Sequence, residues 1–246
     1  MSETIIWISG ATEGIGLGLA RTVPYPDARV INLSRRQHPD FETVQFDLTK
    51  PETYVAVQQS FQRELTGFRG KRAIFFHNAY YPGLGFVSEV DPVEYAKGIQ
   101  ANAAAPLILG DLFLRAVRPG YESGLVLMSS AAARHPFLGN ANYCAAKAGV
   151  EMWIRVVKRE LADRGRTDTW VTAVRPGFVD TPTTRFVATR SDRDYPIASQ
   201  MAKQFQTGQG VLTPEQAGRD IWAGLPPKDN ASLLLFGEMV VKEAAH

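Results

Sequence analysis

Seven short stretches of this chain are apolar almost without interruption: residues 5–8, 30–33, 44–46, 73–76, 125–128, 171–174 and 233–236. A strand with one wet face alternates apolar and polar side chains, whereas a strand covered on both faces does not. Between these runs lie stretches of helical spacing at residues 15–23, 52–65, 93–116, 143–161 and 214–223. Strand and helix alternate, so the expected class is α/β, a doubly wound parallel sheet of about seven strands with helices on both faces. Helix starts agree, since Asp91 and Thr213 each stand as a cap before a proline, Pro92 and Pro214. An α/β chain of 246 residues is expected to form a single domain spanning residues 1–246. Residues 181–210 are polar, with no clear core face, and are expected to be a mobile substrate-loop insertion beside the site.

Composition removes several function classes. Lys and Arg exceed Asp and Glu by 27 to 25, a net charge of +2, too little for a nucleic-acid-binding face. The apolar run at the amino terminus is far shorter than the ~18 residues of a membrane span. With one cysteine, Cys144, neither an intrachain disulfide nor a thiolate metal cluster can form. The expectation is a cytoplasmic protein with no metal, no membrane partner and no nucleic acid.

Directly after the first apolar run comes Ser9-Gly10-Ala11-Thr12-Glu13-Gly14-Ile15-Gly16, leading into the first helix. Glycines at a strand-to-helix turn allow close backbone approach to a pyrophosphate at the positive end of a helix dipole. Gly10, Thr12, Glu13, Gly14, Ile15 and Gly16 are therefore cofactor-binding candidates. The tip of the second strand faces the adenosine ribose in such a fold, where an acid suits NAD. Here the tip reads Ser34-Arg35-Arg36, which suits the 2′-phosphate of NADP(H), although an exposed basic turn would read the same.

Tyr143 and Lys147 are four apart, hence on one helical face. A free phenol titrates near ~10, so reaching neutrality needs ~3 pK units, or ~4 kcal/mol, which an ammonium at ~4 Å could supply. Ser130, thirteen residues before Tyr143 at the end of the fifth strand, can donate to a developing alkoxide, while Ser129 is expected to turn toward the sheet. Lone Cys144 reads as a small buried hydrophobe.

Taken with Asn102 in Gln100-Ala101-Asn102-Ala103, these motifs resemble those of the short-chain dehydrogenase/reductase family in order and spacing, with Ser9 in place of the usual Thr. The resemblance spans roughly residues 5–181 and implies a Rossmann-type fold, an NADP(H)-dependent oxidoreductase and a catalytic set of Asn102, Ser130, Tyr143 and Lys147. It implies hydride exchange between NADPH and a carbonyl or alcohol. Ser130 polarises the oxygen, Tyr143 acts as acid/base, and Lys147 holds the ribose and lowers the tyrosine pKa. Asn102 holds a water in a proton relay, or else pins a helix bend before Pro106. Asp47-Leu48 corresponds to an adenine contact, although a lone Asp there could be a helix cap. His77-Asn78-Ala79-Tyr80 corresponds to a family motif bordering the adenosine; Asn78 and Ala79 match, His77 and Tyr80 depart, and His77 is expected to be hydrogen-bonded at the strand end. In Arg175-Pro176-Gly177-Phe178-Val179-Asp180-Thr181, the resemblance gives Pro176, Gly177, Val179 and Thr181 to the nicotinamide. Glu13 departs from NADP-preferring relatives, many of which carry a basic residue there.

Tyr80, Phe137, Leu138, Phe186, Tyr195, Met201 and Phe205 suggest an apolar or aromatic carbonyl substrate, as in the sepiapterin- and benzil-reductase-type branch, or equally a packed lid. A non-enzymatic NADP sensor is the rival reading, disfavoured because a sensor needs no Ser, Tyr, Lys and Asn set. A dehydratase or epimerase is disfavoured by the little chain left for a substrate domain. Val150, Trp153, Ile154 and Val157 give the 143–161 helix more apolar surface than one sheet face needs, so a homodimer or homotetramer is expected.

Overall fold

A computed structural model of the chain describes residues 3–83, 85–193, 195 and 197–237; residues 1, 2 and 238–246 of the expected domain lie outside the described residues. The first part runs β1 (Thr4–Ser9), α1 (Gly14–Arg21), β2 (Ala28–Leu33), β3 (Glu42–Val44), α2 (Tyr54–Leu65) and β4 (Arg72–His77). Then come α3 (Pro92–Ile99), α4 (Ala105–Ala116), β5 (Glu122–Met128), α5 (Ala141–Asp163) and β6 (Thr169–Arg175). The last part holds β7 (Phe178–Val179), α6 (Pro182–Ala188), α7 (Ala198–Thr207), β8 (Val211–Leu212), α8 (Pro214–Ala223) and β9 (Leu233–Leu235).

Seven strands form one sheet in the order β3-β2-β1-β4-β5-β6-β9, every neighbouring pair parallel. This is the doubly wound α/β arrangement expected from the apolar runs. The chain steps outward from β1 through β2 to β3, then returns to β4 on the other side of β1, so the order reverses between β1 and β4. Ser9 at the end of β1 lies opposite both Leu33 and His77, which aligns three carboxyl ends at that reversal.

The unbroken apolar runs follow from two cores on opposite sheet faces. Trp7 and Phe75 pack with Phe61 of α2, Phe113 of α4 and Ile154 of α5. Their neighbours Ile6, Ile8, Ile74 and Phe76 pack with Leu19 of α1 and Ile221 and Trp222 of α8. Consecutive residues point to opposite faces, and both faces are dry.

Three elements and the apolar face of α5 differ from the sequence reading. The helix expected over residues 93–116 is broken: a π-helical turn, Gln100–Ala104, separates α3 from α4. Pro106 sits in the first turn of α4, where it has no N–H to donate and its ring opposes the carbonyl four residues back, and the wider turn before it relieves that conflict. The third strand covers residues 42–44 instead of 44–46; Phe46 is apolar because it packs in the core beside Tyr54. Residues 181–210 contain α6 and α7, packed around Phe178, Val187, Tyr195, Ala198 and Met201. On α5, Val150, Ile154 and Val157 are buried in the chain's own core and Trp153 packs against it, so they do not form an exposed face; Met152 and Val156 are its exposed apolar residues.

No helix among the described residues is long and apolar enough to cross a membrane. Phe61 meets Trp7, Phe75 and Phe113 with ring centroids 5.1 to 5.4 Å away for the two phenylalanines and 5.2 Å for the tryptophan. Phe61→Ala should therefore lower unfolding free energy by about 3–5 kcal/mol, read as a reduced urea midpoint with unchanged slope.

Candidate active site

The carboxyl ends of the parallel strands open into a cleft of about 920 Å³. Residues chosen from the sequence on seven separate segments line it, and only Gly16 and Asn102 of that set do not. The architecture accounts for this convergence, because ligand crevices in open α/β sheets lie where the strand order reverses.

At one end the glycine turn leaves β1 and enters α1. Gly10 has φ +75°, and a Cβ there would sit 3.3 Å from Ala79 Cβ, so a side chain would be strained. A Cβ on Gly16 would come within 2.1 Å of Gly10 O and 2.7 Å of Asn78 Nδ2, so Gly16 permits the turn to close without facing the cleft. Ser9 holds the opposite wall: its Oγ accepts from Asn78 N and Ala79 N, both at 2.9 Å, and its carbonyl accepts from Asn78 Nδ2 at 3.2 Å. Asn32, which the sequence reading passed over, accepts from Ala11 N at 3.0 Å and donates to Arg36 O at 3.0 Å. It ties the glycine turn to the basic tip of β2. A polar residue inside an apolar run was the available signal.

Of the two arginines at that tip, Arg36 forms an ion pair with Glu13 at 2.8 Å, whereas Arg35 has no ion pair among the described residues. Glu13, the departure from the family pattern, therefore balances Arg36 and leaves Arg35 available to a ligand. Asp47 Oδ1 accepts from Thr49 N at 2.9 Å and Thr49 Oγ1 at 2.8 Å. Burial opposes ionisation of Asp47, but these bonds, with Arg35 and Lys50 nearby, hold its carboxyl below the usual value.

At the other end Tyr143 and Lys147 project from the first turns of α5. Burial pushes the Tyr143 phenol above its ordinary 10.0, and the Ser130 hydroxyl works against that shift. Burial outweighs the lowering expected from Lys147. Its ammonium lies 5.4 Å from the tyrosine ring centroid and donates instead to Met128 O at 2.6 Å. Burial brings Lys147 itself down to about 8. Tyr80 packs edge-to-face on Tyr143 with centroids 5.0 Å apart. Phe137, Tyr195 and Met201 line the same part of the cleft; Phe186 and Leu138 are exposed instead, and Phe205 packs on Phe178.

Several residues around the cleft have partners within the chain. Asn102, in the π-helical turn, accepts from Tyr81 N at 2.9 Å and donates to Tyr81 O at 2.8 Å, so its side chain pins the loop after β4 to the helix bend. Thr181 Oγ1 accepts from Thr184 N at 3.1 Å, capping α6. His77 is buried at the strand end and bonds to its own backbone, while its Nε2 lacks a partner among the described residues. Burial, with the Lys147 charge nearby, lowers it to about 3 and keeps it neutral. Ser129 donates to Glu151 Oε1 at 2.6 Å. Glu151 in turn accepts from Arg175 Nε at 2.7 Å and Arg175 NH2 at 2.8 Å. The spacing of four that links Tyr143 to Lys147 continues to Glu151, a signal present in the sequence but not used.

Residues 4–192 match the family model for short chain dehydrogenases. The chain belongs to the short chain dehydrogenase family. It is therefore an oxidoreductase of a family that transfers hydride with a nicotinamide cofactor. Similar proteins include the 3-oxoacyl-(acyl-carrier-protein) reductase FabG of Salmonella typhimurium, 27% identical over 191 residues, 74% of this chain and 75% of that one. The benzil reductase ((S)-benzoin forming) of Bacillus cereus is 22% identical over 229 residues, 87% of this chain and 90% of that one. Aldohexose dehydrogenase of Thermoplasma acidophilum shares the fold, with a TM-score of 0.77 at 18% identity over 98% of this chain and 97% of that one.

Burial of Lys147 has a consequence for stability. The unfolded lysine holds its proton up to its ordinary 10.5, the folded one only to about 8, so between these values the unfolded state binds more protons. Stability from this group therefore rises with pH across that window, by about 2 kcal/mol between pH 8 and 10. Lys147→Met should remove the rise, as measured by the difference between wild-type and variant urea midpoints across that range.

Proposed function

We propose that this dehydrogenase reduces an apolar or aromatic carbonyl compound with NADPH, Tyr143 protonating the oxygen. The observation that carries the reading is that Ser130, Tyr143 and Lys147 line one cleft whose far end is the glycine turn. The residues present suit a dinucleotide: a Cβ-free turn at Gly10 and Gly14, the start of α1 behind it, and an Arg35 guanidinium with no ion pair among the described residues. Arg35 and Ser34 would hold the 2′-phosphate; Gly10, Thr12 and Ile15 the pyrophosphate; Asp47 and Leu48 the adenine; Pro176, Gly177 and Val179 the nicotinamide. When bound, NADPH supplies the hydride.

The chain's own residues handle the oxygen and its proton. Ser130 donates to the carbonyl oxygen and polarises it. A phenol pushed up by burial stays protonated at neutral pH, which is the form that can give up its proton as charge develops on that oxygen. The Lys147 ammonium, close behind the ring, favours the phenolate left after transfer. Tyr80, Phe137, Tyr195 and Met201 line the site, exclude water and offer aromatic and apolar surface to the substrate. The name of the benzil reductases among the relatives supports a diaryl or similar ketone.

Loss of NADPH absorbance with benzil tests the reading. Tyr143→Phe should lower kcat by roughly 10²- to 10⁴-fold, and unchanged turnover would refute the mechanism. Arg35→Ala should raise the KM for NADPH by roughly ten- to a hundredfold, the loss of one charged hydrogen bond, with little change for NADH. Arg36→Ala should have the smaller effect because Arg36 is already paired with Glu13.

A further inference from the structure

Tyr143, Lys147 and Glu151 follow one another at intervals of four along α5, so they share one face of the helix. That face is joined to the ends of two neighbouring strands. Lys147 donates to Met128 O at the end of β5, and Glu151 accepts from Ser129 just beyond it and from Arg175 at the end of β6. Ser129 is the residue before Ser130, and Arg175 precedes the Pro176-Gly177 turn. The side chains of Glu151 and Arg175 are only 7% and 11% exposed. An ion pair so deeply buried brings little stability over apolar residues of the same volume, so its place one helical turn from Lys147 needs another reason.

We propose that Glu151 and Arg175 are positioning residues: Glu151 fixes the β5 and β6 ends together, and Arg175 neutralises it so that Lys147 donates to Met128 instead of to that carboxylate. The consequence for turnover rests on the reductase reading; the charge balance does not. A Glu151 freed of Arg175 would face the ammonium across one turn of α5 and hold its proton more tightly. An Arg175 freed of Glu151 would act in the opposite sense.

The other charged groups round Lys147 leave that prediction intact. Tyr143 on α5 and His77 at the end of β4 are neutral near pH 7. The turns at Gln100–Ala104 and Ala131–Ala133, both packed against α5, contain no ionisable residue. Glu94 and Lys97 of α3 pair with each other, as do Asp111 and Arg115 of α4.

The test is the titration of Lys147 in the full chain, followed by NMR of ¹³C-labelled lysine and assigned with Lys147→Arg. Wild type should titrate near 8. Arg175→Gln should move the midpoint up by about one pH unit and Glu151→Gln should move it down by a similar amount, as expected for one unit charge across a helical turn. The double variant should return to the wild-type midpoint. Each single variant has its own sign, so one folded single variant suffices, and Arg175→Met or Glu151→Leu replaces a glutamine variant that does not fold. Midpoints that do not move, or that move the same way in both single variants, would overturn the proposal. In parallel, the pH profile of kcat with benzil and NADPH should shift with the same signs. Opposite NMR shifts in a protein that reduces no carbonyl would support the charge balance and remove the reductase reading.

Discussion

Parallel pairing with both sheet faces dry is the constraint on which the rest of this structure depends. Because β1, β2 and β4 stand in register, Ser9, Leu33 and His77 end at one level, and β5 and β6 end beside one another at Met128 and Val174. Backbone groups and side chains that leave those ends have no solvent-facing sheet surface to spread over. They meet at a single edge, which is why residues far apart in the chain line one cleft.

At that edge polar atoms compete for partners, and the competition explains several departures from simple expectation. Lys147 is near enough to Tyr143 to influence it, yet its proton is directed at Met128 O, and burial dominates both groups. Asn102 and Thr181 likewise carry functional expectations while performing structural tasks, one pinning Tyr81 and the other capping α6. A hydroxyl or amide at a site edge has several bonding atoms, so these tasks and ligand contact are compatible. Arg36 and Arg35, identical in type and adjacent in sequence, are distinguished by whether Glu13 reaches them.

Much of the fold was legible in order, since apolar runs and helical spacing locate all seven strands of the sheet and the main helices. Where reading failed, a tertiary cause is visible. The 93–116 helix breaks because Pro106 conflicts with the preceding turn and Asn102 anchors the break to Tyr81, a residue in another segment. The third strand shifted by two residues because Phe46 is apolar for packing, not pairing. Residues 181–210 showed no core face because the small core they surround is completed by Phe178, which precedes them.

The sequence by itself determined the class of sheet, the glycine turn, the pairing of Tyr143 with Lys147 on one helical face, and the basic tip at Ser34-Arg35. These are local patterns, set by backbone geometry and by the spacing of neighbouring residues. Only the tertiary structure decided which cation is balanced, where the lysine proton points, and that Glu151 joins Ser129 to Arg175. Those depend on side chains brought together from separate strands and helices, and on burial that raises the energetic weight of each polar contact.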